Sequence, residues 1–160
     1  LKRFGELKNS KIIGGKSNLL EATGLFLKML YSKKKQFYGV SPVFNEEWVG
    51  AVRNLAKSDC EVSLVFTDDV LRYVGEKLGR DDAQTLDARM SITITKIDSA
   101  PDVAFAVFED FLIMTLRMRD GTFTTHKGIY SKDSKALGWG RDLFEYYKRQ
   151  AKEVNIADYC

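Results

Sequence analysis

From Asn18 onward, apolar residues recur at helical spacing: Leu19, Leu20, Thr23, Phe26, Leu27, Leu30 and Tyr31. The pattern predicts a helix capped by Asn18, and Lys33-Lys34-Lys35 follow where cations complement the helix dipole. Gln36 to Val40 reads as a strand. The chain then breaks at Ser41-Pro42 and restarts as a helix capped by Asn45, with Trp48, Val49, Val52, Leu55 and Ala56 on its apolar face. Glu46 and Glu47 occupy its first turn, as the dipole prefers. Cys60 to Phe66 is a second, largely apolar strand, and Thr67-Asp68 opens a helix carrying Val70, Leu71, Val74 and Leu78. Strand, helix and strand at this spacing make a right-handed crossover, so the two strands are expected to be parallel.

After Gly79-Arg80-Asp81-Asp82 the pattern changes. Ala83 to Ala88 can add a short helix, and Ser91 to Thr95 alternates strictly, as a half-exposed strand does. Val103 to Phe108 is a continuous apolar strand, and Phe111 to Met118 follows a tight Glu109-Asp110 turn. Asp120-Gly121 is a hairpin signal leading into Thr122 to Thr125. These strands are expected to form an antiparallel meander. Asp133 or Ser134 opens a last helix with the stripe Leu137, Gly140, Leu143/Phe144, Tyr147, Ala151 and Val154. The fold class is therefore α/β: a mixed sheet, parallel at its front and antiparallel at its back, flanked by helices. Residues 1–17 show no sustained period and read as an arm or linker with a short strand at Lys11–Ile13, leaving 18–160 as the main domain.

Composition changes this picture little. The 160 residues are 44% hydrophobic and 29% charged with two prolines, the balance of a soluble globular chain. No apolar run approaches the ~20 residues that span a bilayer. Cys60 opens an apolar strand and Cys160 is the last residue, so no disulfide framework is expected, and a reducing, cytoplasmic setting fits. One histidine and no cysteine cluster argue against a zinc site, and no cofactor is expected. Charge is uneven: residues 1–36 carry nine basic and two acidic side chains, a local +7 in a chain of net +3, which leaves −4 for the rest. A basic front end suits a surface near nucleic acid, or it is simply a solvated face with a basic turn.

In a parallel pair, both strand-to-helix turns emerge at the C-terminal edge of the sheet, where ligands bind preferentially. This places Ser41–Asn45 beside Thr67–Asp69. Phe44 and Trp48 can wall a pocket there, with Ser41 and Thr67 supplying hydroxyls and Asp68 beside them. Asn45, Thr67 and Asp68 also have a plainer reading as helix caps, and Trp48 as core. The candidate ligand-binding residues are thus Ser41, Phe44, Trp48, Thr67, Asp68 and Trp139. Trp139 joins them because it shares a second face of the last helix with Tyr146, which must pack on the sheet, a partner or a ligand. Glu46, Glu47, Asp68 and Asp69 crowd the edge with negative charge, which disfavours a highly anionic ligand.

Catalytic signals are thin. Phosphodiesterases of the phospholipase D type carry His, then Lys two residues later, then Asp five beyond that. The matching positions here are His126, Gly128 and Asp133, so the phosphate-holding lysine is absent. Those enzymes also need a second histidine, which only a dimer could provide. No nucleophile elbow, Walker loop, GxGxxG or metal cluster is present, and no enzyme activity is expected.

The run Tyr38-Gly39-Val40-Ser41-Pro42-Val43-Phe44, with Trp48 following, resembles the signature of the middle domain of archaeal methanogenesis regulatory proteins of the FilR type. Val62 to Thr67, Asp120-Gly121-Thr122-Phe123, Ala136-Leu137-Gly138-Trp139-Gly140 and Leu143-Phe144-Glu145-Tyr146-Tyr147 extend the resemblance, in order, from about Leu20 to Lys152. The resemblance implies a transcription regulator in which an N-terminal winged helix-turn-helix binds DNA and this domain responds to a signal. The winged helix is expected outside these residues, with 1–17 as the segment joining it. The implied partners are an unidentified small-molecule effector, a second copy in a homodimer, and DNA only through the winged helix, with no membrane. The domain also resembles a phospholipase D fold that has lost its catalytic residues. A ligand-free dimerisation scaffold and a phosphodiesterase are the alternatives.

Overall fold

The computed structural model describes residues 3–14, 21–32, 34–55, 57–124 and 127–160. In chain order the elements are β1 (Lys11–Gly14), α1 (Glu21–Leu30), β2 (Gln36–Ser41), α2 (Glu47–Leu55), β3 (Glu61–Phe66), α3 (Asp68–Leu78), α4 (Arg80–Asp87), β4 (Ile92–Lys96), β5 (Val103–Phe108), β6 (Leu112–Leu116), β7 (Lys127–Ser131), α5 (Ser134–Lys148) and β8 (Lys152–Glu153). The strands form one mixed sheet in the order β1-β7-β6-β5-β2-β3-β4-β8. Chain regions Phe4–Leu7 and Ile156–Tyr159 are 3-10 turns.

The expected mixed α/β architecture is present, with one boundary moved. β2, β3 and β4 are all parallel, whereas β5, β6 and β7 form the antiparallel meander, joined to the parallel group where β5 pairs with β2. Ser91–Thr95 therefore belongs to the front of the sheet and not to the meander. Its alternation is misleading because Thr95 is buried and satisfied, its hydroxyl donating to the Leu64 carbonyl at 3.0 Å. The link from β4 to β5 then crosses the ends of β3 and β2, anchored by Ile97 N–H donating to the Phe66 carbonyl at 2.8 Å.

Two further expectations shift. Of the strand expected at Thr122–Thr125, the described residues 122–124 form no regular strand and Thr125 lies outside the described residues; Phe123 makes a single bridge to Arg117 beyond the Asp120-Gly121 turn, where Gly121 takes a φ of 86°. The last helix ends at Lys148, so Ala151 and Val154 of the expected stripe lie past it, on either side of β8. The short strand expected at Lys11–Ile13 is present and pairs antiparallel with β7, while Asn18, the expected cap of α1, lies outside the described residues.

The strand pleat divides the interior into two cores. On one face Phe37, Val62, Leu64, Phe66, Ile94, Ala106, Phe108 and Ile113 pack under helices α1 to α4. On the other Val40, Val65, Val103, Phe105, Val107, Leu112 and Met114 pack under α5. Both faces of β5 are buried, which is why its sequence is apolar without alternation. Asp133 caps α5, accepting from the Lys135 N–H at 2.9 Å, as its position predicts.

A candidate effector pocket at the strand edge

Register decides what meets at the C-terminal edge of the parallel strands. Ser41 pairs with Phe66, which sets the Ser41–Asn45 turn beside Thr67–Asp69 as the crossover predicts. The antiparallel pairings Val40 with Phe105, Ala104 with Thr115 and Met114 with Ile129 bring the start of β5, the end of β6 and the start of β7 to the same edge. A cavity of about 120 Å³ opens there, between the sheet and helices α1 and α2.

Ser41, Phe44 and Trp48 line this cavity together, as the sequence suggests. The wall is aromatic. Trp48 meets Phe26 edge-on with ring centroids 5.0 Å apart and Phe44 at 5.4 Å, and Phe44 meets Phe66 at 6.1 Å and an interplanar angle of 90°. Edge-to-face pairs of this kind favour the ring quadrupoles and hold the wall in shape. Phe44 also leans on Tyr73 of α3, which ties the turn to the second crossover.

The Ser41 and Thr115 hydroxyls of the lining are occupied within the protein. The Ser41 hydroxyl donates to the Val43 carbonyl and accepts the Val43 N–H, closing the Ser-Pro turn on itself. Thr115 donates its hydroxyl to the Thr124 carbonyl at 2.9 Å. The Trp48 indole N–H is shut off from solvent and has no hydrogen-bond partner among the described residues, an arrangement that costs about 1–3 kcal/mol.

The other sequence candidates sit apart. Thr67 occupies the cap position of α3, but its side chain makes no capping hydrogen bond and does not line the cavity. Asp68 accepts from Arg72 Nε at 2.7 Å and lies 3.6 Å from Lys96 Nζ; the Arg72 hydrogen bond, ahead of its charge and that of Lys96, holds the carboxyl below its ordinary range. Glu46 pairs with Lys77 at 3.5 Å. Two of the acids expected to crowd this edge are therefore paired with cations. Trp139 is 6% exposed and packs in the core beneath α5, on the opposite face of the sheet from the cavity. Tyr146 of the same expected face is 59% exposed, so the two aromatics do not share one surface.

Phe26, Phe37, Leu64, Ile113 and Phe123 also line the cavity and were not legible as site residues. One signal pointed to them: Gly39, a glycine inside a strand. A Cβ there would lie 3.0 Å from Leu64 Cδ2 and 3.4 Å from the Phe37 ring, so its absence leaves room at the cavity floor.

The positions of the phosphodiesterase pattern fall near the same edge. Gly128, at the lysine position, lines the cavity, and a Cβ there would stand 3.2 Å from the Met114 carbonyl oxygen. The Asp133 carboxylate accepts from Asn9 and from the Lys135 N–H, both of which lower its pKa. His126 lies outside the described residues. Among the described residues no three His, Cys, Asp or Glu side chains gather as a metal site, and no helix is long and apolar enough to cross a membrane.

Solved structures share this fold. TrmBL2, an archaeal chromatin protein with a novel mode of DNA binding, superposes with a TM-score of 0.70 at 13% identity over 96% of this chain and 58% of its own. The phospholipase D family member Nuc from Salmonella typhimurium gives 0.62 at 11% identity, over 92% of this chain and 98% of its own. At these identities the likeness is one of fold, and the fold is phospholipase D-like. In sequence, the chain is 34% identical over 56 residues to methanogenesis regulatory protein FilR1 of Methanothrix harundinacea (strain 6Ac). That match covers 35% of this chain and 13% of the relative's length. The model of the FilR1 middle domain matches residues 21–150, from the first turn of α1 to just past the end of α5. Aromatic turn, crossover and capped last helix all fall inside that span, and the chain belongs to the family of the methanogenesis regulatory protein FilR1 middle domain.

Proposed function

We propose that this regulatory domain is the signal-sensing and dimerising part of a transcription regulator, and that the cavity beside Ser41, Phe44 and Trp48 is its effector site. The observation that supports the reading is the cavity itself: an apolar pocket at the C-terminal edge of the parallel strands, where α/β folds take ligands. Its wall includes Ala22 and Phe26 of α1, and α1 follows β1 at the border of the sheet. A ligand that fits one placement of α1 better than another shifts the population toward it. DNA-reading domains attached ahead of β1 would thereby change their spacing, and dimer spacing is what operator half-sites sense.

The protein acts without catalysis in this reading. Glycine replaces the lysine of the phosphodiesterase pattern, and Asp133 is engaged as a helix cap. The test is native mass spectrometry and thermal unfolding of the chain with fractionated extract of a methanogen. The expected result is a dimer carrying a discrete added mass, with a midpoint shift absent in Phe44→Ala. A ligand at 100 times its Kd would add about 2.7 kcal/mol to stability. A chain that stays monomeric at every concentration removes dimerisation, and one that retains no mass and shows no shift with any fraction removes sensing.

A further inference from the structure

On the reading of this cavity as an effector site, we infer that it takes an uncharged apolar group about the size of one aromatic ring. Three features of the wall carry this. The first is chemical: the interior surface comes from Phe26, Phe37, Phe44, Trp48, Phe66 and Ile113. The hydroxyls of Ser41 and Thr115 are already spent on backbone carbonyls. The Trp48 N–H is out of reach of even a water molecule, so it offers a guest nothing. Among the described residues of the lining one is charged, Lys127, and it is exposed at the rim. A carboxylate, phosphate or ammonium placed inside would lose its hydration with no partner among the described interior residues to replace it.

The second feature is size. A cavity of about 120 Å³ falls just below the apolar cavity of about 150 Å³ that stays dry and holds benzene. The third is shape. The Phe44, Trp48 and Phe66 rings meet edge to face, so faces and edges of different rings are presented around one space. A planar aromatic guest finds offset and edge contacts there, and a short branched alkyl group finds close carbon packing.

The experiment is a titration of the 160-residue chain with benzene, toluene, ethylbenzene and benzoate, followed by amide NMR. Saturable shifts are expected at Phe44, Trp48 and Gly39, with affinity rising about fourfold per added methylene until the space is full. Benzoate should bind at least tenfold more weakly than toluene. Ala22→Leu, which places three more carbons into the wall from a helix position, should abolish toluene binding. If that variant fails to fold, Phe44→Ala serves instead, and it should shift preference from toluene to butylbenzene. Toluene that never saturates, or benzoate that binds as tightly, overturns the inference. Should toluene fail while an extract component is retained and lost in Ala22→Leu, the ligand class is wrong and the effector reading stands. If neither binds, both fall.

Discussion

Gly138 and Gly140 lie two residues apart on α5, yet replacing each with alanine should move stability in opposite directions. At Gly138 a Cβ meets nothing within 4 Å, so the change acts through helix propensity alone. Alanine is favoured over glycine inside a helix by about 0.8–1.0 kcal/mol, and Gly138→Ala should stabilise by roughly that amount. At Gly140 the same Cβ would stand 2.8 Å from Val107 Cγ2 and 3.0 Å from Leu112 Cδ1, both on side chains with no exposure. Carbon atoms pack best about 3.5–4.0 Å apart. The helix must lift off the sheet or the two strands must give, and close-packed interiors charge about 1–3 kcal/mol for such crowding. After the propensity gain, Gly140→Ala should destabilise by about 1 kcal/mol, leaving the two variants about 2 kcal/mol apart. Urea unfolding followed by circular dichroism reads this difference as a midpoint shift at constant slope. In heat it should appear as about 4–8 °C, at 2–4 °C per kcal/mol for a chain of this size. If Gly140→Ala stabilises as much as Gly138→Ala, then α5 does not rest on β5 and β6 as closely as the geometry says.

Trp139→Ala should cost about 3–5 kcal/mol, as loss of a buried aromatic does, while leaving the midpoint shift produced by a cavity ligand unchanged; loss of that shift in a still-folded variant would tie α5 to the site. Cys60 is 3% exposed, and burial, followed by the charges of Glu109 and Glu61, pushes its thiol up to about 11. A thiol-reactive dye at pH 8 should label exposed Cys160 quickly and Cys60 only on unfolding, so two fast equivalents per chain would contradict the packing.

The element types and their order were readable from the sequence because each signal is local. Helical spacing in Val70, Leu71, Val74 and Leu78, the cap at Asp133 and the Asp120-Gly121 turn depend only on near neighbours in the chain. The strand–helix–strand spacing also sufficed to place the Ser41 and Thr67 turns side by side, since a parallel crossover leaves them no other arrangement. What the sequence left open was everything set by contacts between distant residues. Thr95 looks solvent-facing in the sequence and is buried, because the Leu64 carbonyl on the next strand satisfies its hydroxyl. Trp139 looks like a spare aromatic and fills the core under α5, because only the packed helix fixes which face meets the sheet. Phe26, Phe37, Ile113 and Phe123 come from four separate segments, and no spacing along the chain relates them. The sequence determined the pieces and the edge at which they end; the tertiary structure decided that the space between α1, α2 and the sheet is an apolar cavity, because volume left over is a property of packing and not of any segment.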